Sequence, residues 1–338
     1  MNIIFLSNND WGGANFLMSK GINMLTEHHA ESITEDYHPF EYDTGTVISS
    51  LKDAQLHEVK KRIEFADFLY IAQDIPKTFA KTISAVLSNG SMPFLFRHSG
   101  SDIRNTADNR FEFQLADKYY WSFTAYDYSM TRCLIQSLQH NTHIIDTDKW
   151  KPKLKQEDND DSIFIYHSPT NNEYKGTKYI SEAIEKLSRK YNIRWRHTGC
   201  KPTGEGSVSW QTVMNEKSKA DIFIDSIRDE AHGQNTAEAM CMGIPTLTSV
   251  GPYYRSIYPD TPIVNTNIHN IEDNLEKLLL DPEKRLSIGR KTREYAVNTF
   301  SIIRRIKMWA PIIEFISHPD IHDKWKKPSY WETRGPNW

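Results

Sequence analysis

Apolar residues along this chain fall into short continuous runs separated by amphipathic stretches of helical period. Ile3-Ile4-Phe5-Leu6 is the first run and predicts a buried strand over Asn2 to Ser7. The Gly12-Gly13 turn then opens a helix whose apolar positions are Phe16, Met18, Ile22 and Leu25. The rhythm continues with a strand at Ala66 to Ile71, a helix over Thr78 to Leu87 and a strand at Met92 to Phe96. Strands that alternate with helices of about 10–15 residues predict parallel sheets covered on both faces. The fold class is therefore α/β, with doubly wound sheets.

The rhythm breaks at 149–161, an almost wholly polar segment that reads as an interdomain linker. It restarts with strands at Ile163 to Tyr166, Ile193 to Arg196 and Asp221 to Asp225, and helices at Tyr179 to Tyr191 and Trp210 to Lys217. The expected organisation is a Rossmann-like half over 1–148, the linker, a second Rossmann-like half over 162–305, and a C-terminal helix and tail over 306–338 that return to the first half. Ligands of doubly wound sheets bind beyond the carboxyl ends of the strands, so chemistry is sought just after each strand.

Composition narrows the function. A length of 338 residues suits two domains with separate cores. Lys plus Arg number 41 against 44 Asp plus Glu, a formal net charge of -3, so no global positive field draws the chain to nucleic acid or anionic lipid. Phosphate contacts must be local. The apolar runs are far below the roughly 20 residues that span a bilayer, and the amino terminus has neither a basic segment nor a small-residue cleavage site, so no transmembrane segment or signal peptide is expected. Cys133, Cys200 and Cys241 form no CxxC pair and are odd in number, which suits the reducing cytoplasm. His28-His29 and His140-x-x-His143 lack a third ligand at zinc spacing, so no metal is expected.

The richest chemistry follows Asp225, in the run Ser226 to Pro245. A Gly-containing turn that opens a short helix turns free backbone N–H groups and the positive helix end toward the crevice. Gly233, Gln234, Asn235 and Thr236 are the candidate anion ligands. Glu230 and Glu238 stand eight residues apart, and carboxylates beside a phosphate site accept hydrogen bonds from sugar hydroxyls. A nucleotide sugar supplies both kinds of group. The same residues permit a purely local reading: Asn235-x-x-Glu238 fits a capping box with Asn235 as N-cap, and Glu230 is then a solvated loop acid.

The run Glu230-x-x-Gly233-x-x-x-x-Glu238-Ala239-Met240-x-x-Gly243-x-Pro245 resembles the E-x7-E signature of the retaining, GT-B-fold glycosyltransferases of family 4. The resemblance implies two Rossmann-like domains that face a central cleft, with Glu230 near the donor sugar and Glu238 holding the ribose hydroxyls. His167 to Thr177 resembles the first loop of the family's donor domain, where a Lys before Gly meets the diphosphate. That implies Lys175 as phosphate ligand, with Ser168, Thr170 and Asn171 beside it. Many members carry an Arg shortly before that Lys; here stand Asn171 and Asn172, so the leaving charge is met by Lys175 with amides and hydroxyls, or by an arginine elsewhere.

Three further segments match in order. Asp10 to Asn15 resembles the glycine loop after the first strand, with Gly12 and Gly13 letting backbone approach donor phosphate or acceptor. Arg97 to Arg104 resembles an H-x-G-S-D loop, with His98 facing acceptor and donor sugar, and Gly204 to Trp210 sits where the nucleobase loop lies, with Val208 as contact. The implied reaction moves a sugar from a nucleoside diphosphate, UDP favoured over GDP, to a hydroxyl, with catalytic Glu230, His98 and Lys175 and no cofactor or metal required. The acceptor is an envelope glycan or lipid-linked sugar. The alternative is phage-type transfer to hydroxymethylated DNA, for which the tail from Lys324 to Trp338 mixes bases with aromatics. A non-catalytic nucleotide-sugar binder, or an epimerase or phosphorylase of the same shape, is the reading from another class.

Overall fold

The first apolar run forms β1 (Asn2–Ser7), buried along all but its first residue, in a computed structural model that describes residues 1–88, 92–98, 143–152, 161–198, 208–228 and 232–319 and the strand segments 122–124 and 137–139. β1 pairs in parallel with β2 (His29–Thr34) and β4 (Phe68–Ala72). With β3 (Thr46–Val47), β5 (Phe94–His98), β6 (Ser122–Thr124) and β7 (Ser137–Gln139), the sheet runs in the order β3-β2-β1-β4-β5-β6-β7, parallel throughout. The strand expected at Met92 to Phe96 starts two residues later. Pro93 has no N–H to give the ladder, though its carbonyl accepts from the Leu69 N–H at 3.2 Å.

The second sheet contains β8 (Ile163–His167), β9 (Ile193–His197), β10 (Ile222–Ile224), β11 (Thr246–Thr248) and β12 (Val264–Asn265). Its order is β12-β11-β10-β8-β9, again parallel. The helix expected at Tyr179 to Tyr191 is Thr177–Ser188, and its buried residues Thr177, Ile180, Ala183, Ile184 and Leu187 follow the helical period. They pack over Ile165, Ile222 and Ile224, with Leu275 and Leu278 from the helix Ile271–Leu280 in the same core.

The chain divides into two compact units: Met1–His38, Tyr42–Ile144 and Arg305 onward form one, and Pro39–Glu41 with Ile145–Arg304 form the other. The boundary near the C-terminus falls inside the helix Ile302–Ser317. In the first unit, Trp309 of that helix lies edge-on to Tyr70, with centroids 5.6 Å apart, and Arg305 Nε donates to the His143 carbonyl at 2.7 Å. The described part of the polar segment, 149–152, belongs to the second unit, where the buried Trp150 lies edge-on to Trp210 at 5.3 Å.

The helix Pro282–Phe300 backs closely onto the end of the helix Gln234–Cys241. A Cβ at Gly289 would collide with the Gly243 carbonyl oxygen and sit 3.6 Å from Pro245 Cδ. Gly289→Ala therefore sets two effects against each other. Alanine gains up to about 1 kcal/mol of helix propensity, but forcing a methyl into filled space costs about 1–3 kcal/mol. Because the obstacle is backbone, the packing cost wins, and urea unfolding of Gly289→Ala is expected to show a net loss of about 1–2 kcal/mol.

Candidate active site

The second sheet reverses direction at β8: the chain steps to β9 on one side and then to β10 on the other. Loops leaving β8 and β10 therefore diverge and open a crevice at their carboxyl ends. β8 ends on His167. Beyond it, Asn171 caps the short helix Asn172–Lys175, its Oδ1 accepting from the Tyr174 N–H at 2.8 Å. Gly176 follows in the left-handed region, φ 79°, and a Cβ built on it would lie only 2.8 Å from Ile227 Cγ1. Only glycine satisfies both the turn and the close approach. The loop after β10 is tied to the loop after β8 by Ile227 N–H donating to the Lys175 carbonyl at 3.2 Å and Arg228 Nη1 donating to the Glu173 carbonyl at 2.9 Å.

Within this crevice Lys175 turns inward. Its ammonium is 3.5 Å from Asp225 Oδ1, with the side chains 15% and 0% exposed. Asp225 Oδ2 accepts from Thr236 Oγ1 at 2.6 Å. Burial alone would raise the Asp225 pKa, but Lys175, the Thr236 hydrogen bond, His167 and Lys217 together hold it below the ordinary carboxylate value. The Lys175 ammonium makes no hydrogen bond among the described residues, so its three N–H groups are available to a ligand.

His167 is fully buried, and burial lowers its pKa to about 4. The ring is neutral at pH 7, and its tautomer follows from its partners. Nδ1 lies 2.8 Å from the Ile224 carbonyl, which can only accept, so Nδ1 carries the proton. Nε2 then accepts from Thr177 Oγ1 at 2.9 Å. The ring thus joins β8, β10 and the start of the helix Thr177–Ser188.

Across the crevice the helix Gln234–Cys241 takes Gly233 as its N-cap. The capping-box reading of Asn235 and Glu238 is incorrect, because tertiary partners claim both side chains. Asn235 Nδ2 donates to the Ser168 carbonyl at 2.9 Å, and its Oδ1 accepts from Ser168 Oγ at 3.3 Å and from Lys217 Nζ at 2.5 Å. Glu238 Oε2 accepts from Lys217 Nζ at 2.5 Å, and Oε1 accepts from Trp210 Nε1 at 2.9 Å. At Gly233 the φ is an ordinary -96°, and among the described residues a Cβ would meet nothing within 4 Å. Ser168 is buried, Thr170 and Asn171 are exposed, and Val208 and Gln234 are half-buried.

In the first unit, Gly12 and Gly13 make the expected turn after β1, with φ 72° and 63°. The N–H groups they lead to are already engaged: those of Asn15 and Phe16 each donate to the Asp10 carboxylate at 2.9 Å. Burial raises the Asp10 pKa to about 6 against those hydrogen bonds. His98 is the last residue of β5. Glu230, Gly204 to Ser207, Ser99 to Arg104 and the tail beyond residue 319 lie outside the described residues. Among the described residues no cluster of three or more His, Cys, Asp or Glu is placed to hold a metal, and no helix is long and apolar enough to cross a membrane.

Residues 204–295 match the family described as glycosyl transferases group 1. No curated protein matches the sequence. Among solved structures, an α-glucosyltransferase in complex with UDP-glucose and DNA containing an abasic site is similar at 12% identity, TM-score 0.62, covering 93% of this chain and 99% of that one. HepE of Anabaena in complex with UDP is similar at 12% identity, TM-score 0.59, covering 93% and 100%. Sucrose-phosphate synthase of Thermosynechococcus elongatus is similar at 12% identity, TM-score 0.57, covering 93% and 99%. The chain has the GT-B fold of these structures.

Four side chains of this crevice escaped the sequence reading. Asp225 was treated as a strand end, His167 as a loop residue, and Lys217 and Trp210 as parts of an ordinary helix. Lys217 did carry a signal, because it shares the buried face of the helix Trp210–Lys217 with Val213 and Met214. A lysine at such a position needs a buried partner. Arg228, from the end of β10, reaches the loop before Lys175, where its Nη1 donates to the Glu173 carbonyl.

The neutral His167 makes acid stability testable. Its folded pKa of about 4 lies below the ordinary 6.5, so its contribution is fully present above pH 6.5 and is lost as pH falls toward 4. The size is on the order of 3 kcal/mol. The difference in urea-unfolding free energy between wild type and His167→Gln is expected to shrink as pH drops from 7 to 4.5. Comparing the two proteins cancels the contributions of Asp10 and of His38, whose pKa burial also lowers to about 4.

Proposed function

We propose that this chain is a glycosyltransferase that moves a sugar from a nucleoside diphosphate sugar, UDP favoured over GDP, to an acceptor hydroxyl with retention at the anomeric carbon. The acceptor is an envelope glycan or lipid-linked sugar, and the reaction takes place in the cytoplasm. The observation that carries this reading is the Lys175 ammonium. It is 15% exposed at the β8/β10 switch point and anchored by Asp225, with its N–H groups unspent. It faces the loss of a diphosphate, which concentrates negative charge on the leaving oxygen. The N-terminus of the helix Gln234–Cys241, which begins at Gly233, supplies backbone donors to the same anion. The UDP in HepE and the UDP-glucose in the α-glucosyltransferase support a uridine donor.

In the transfer, the bond from the anomeric carbon to the phosphate oxygen breaks and a bond to the acceptor oxygen forms on the same face. The acceptor proton passes to the departing phosphate. Lys175 and the helix amides hold that phosphate, Glu238 accepts from ribose hydroxyls, and Glu230 and His98 stand by the sugar, as the resemblance implies. Hydroxymethylated DNA is the alternative acceptor, a reading favoured by the DNA bound to the similar α-glucosyltransferase.

Thermal shift against a panel of UDP- and GDP-sugars is expected to raise the midpoint with a UDP-sugar, because a ligand that binds only the native state stabilises it. Lys175→Ala and Glu230→Ala are each expected to lower donor consumption by about 100-fold or more. Lys175→Ala should also lower the midpoint, since it leaves Asp225 without its counter-ion. Wild-type transfer rates in both variants would exclude this site. A chain that binds donor but consumes none with glycan, lipid or hydroxymethylated DNA acceptors is a binder.

A further inference from the structure

We infer that Lys217 is a positioning residue for the donor site, a buried cation that sets Glu238, Asn235 and Trp210 without touching the nucleotide itself. The inference rests on the donor-site reading above. Lys217 closes the helix Trp210–Lys217 and its side chain is 0% exposed. Its Nζ lies 2.5 Å from Glu238 Oε2, 2.5 Å from Asn235 Oδ1, 3.3 Å from the Asn235 carbonyl and 3.7 Å from Met214 Sδ, and 5.1 Å from the centre of the Phe223 ring. An ammonium has three protons, and these acceptors use all of them. No ligand group can reach Lys217, so any influence on the donor passes through its partners.

Those partners belong to three separate segments. Glu238 lies in the helix that opens on Gly233. Asn235 fixes Ser168, the first residue after β8, through two hydrogen bonds at 2.9 and 3.3 Å. Trp210, which follows the Val208 segment, donates to the other oxygen of the same carboxylate at 2.9 Å. Glu238 is therefore gripped at both oxygens, with one accepting lone pair left on each. That leaves a carboxylate with a fixed plane and a fixed charge, which is what two neighbouring hydroxyl donors require. Placing the cation beneath the carboxylate, out of reach of ligand, also keeps Lys217 from competing for the diphosphate.

The test compares wild type with Lys217→Met, which retains side-chain volume but removes the charge and the donors. UDP is titrated calorimetrically well below the unfolding midpoint of each protein, and donor KM and kcat are measured with the most active UDP-sugar. A positioning role predicts at least tenfold weaker UDP binding and a donor KM raised by a similar factor, with kcat within threefold. A purely structural lysine lowers the unfolding midpoint and leaves UDP affinity and KM at wild-type values, and that result overturns the inference. Should Lys217→Met fail to fold, Trp210→Phe removes one donor to Glu238 while keeping most of the ring packing. It is expected to weaken UDP binding threefold or more, and unchanged affinity in that folded variant overturns the inference equally. If wild type binds UDP without consuming any UDP-sugar, the transferase reading fails and the UDP comparison still decides the role of Lys217. If wild type binds no nucleoside diphosphate, both readings fall.

Discussion

Everything at the head of the second sheet depends on keeping buried charges compensated. Asp225 and Lys217 have no exposed side-chain surface, and Glu238 has almost none. Removing such groups from water is costly unless each meets an opposite charge in good geometry and its remaining donors or acceptors are satisfied. The second unit meets that condition with two pairs, Lys175 with Asp225 and Lys217 with Glu238, which are coupled because Lys217 also lowers the pKa of Asp225. The cluster has two positive and two negative members and sums to zero. Under the proposed function, a diphosphate is drawn there by oriented N–H groups and the partly exposed Lys175, not by net charge. That agrees with a chain whose formal charge is -3.

The neutral His167 completes this arrangement by adding no charge to it. Its protonated Nδ1 is committed to β10 and its Nε2 to Thr177, so the ring works as a hydrogen-bonding strut at the strand end. A protonated ring would have two donors and would set Nε2–H against the hydroxyl that now donates to it. The desolvation that lowers the pKa of His167 therefore also fixes the direction of the hydrogen bonds through it. Asp10 at the end of β1 shows the opposite balance. Two backbone N–H groups stabilise its carboxylate, yet burial still outweighs them and raises the pKa to about 6.

Much of the fold was legible because buried strands and one-sided helices leave periodic traces. β1 and β8 are apolar runs, and the helix Trp210–Lys217 was predicted with its observed ends. β2, with the sequence HAESIT, went unseen because Ser32 and Thr34 are buried by neighbours that a one-dimensional pattern does not reveal. β11 and β12 are three and two residues long, too short to carry a period. At the site, the positions of Lys175, Gly233 and Glu238 followed from motif and spacing, but their partners did not. Asn235 and Glu238 have the spacing of a capping box, and sequence alone had no means to show that Ser168, Lys217 and Trp210 would compete for them successfully. Lys217 was hidden for a related reason. Lysine is ordinarily a surface residue, and only the packed helix places it on the same face as Val213 and Met214.

The two lysines therefore divide their work by depth. Lys217, with no exposed surface, has spent its donors and can affect chemistry only through the side chains it holds. Lys175, 15% exposed and 3.5 Å from its carboxylate, is anchored loosely enough to retain donors and closely enough to keep its direction. Moving Lys175 fully outward would orphan the buried Asp225, while drawing it fully inward would spend its donors on that carboxylate. Gly176 stabilises the intermediate position: its left-handed turn brings the residue before it back over the end of β10, and its missing side chain lets Ile227 and Arg228 close against that turn. A side chain at 176 would push the two loops apart and separate Lys175 from Asp225, so the electrostatics of the site depend on a position that carries no charge.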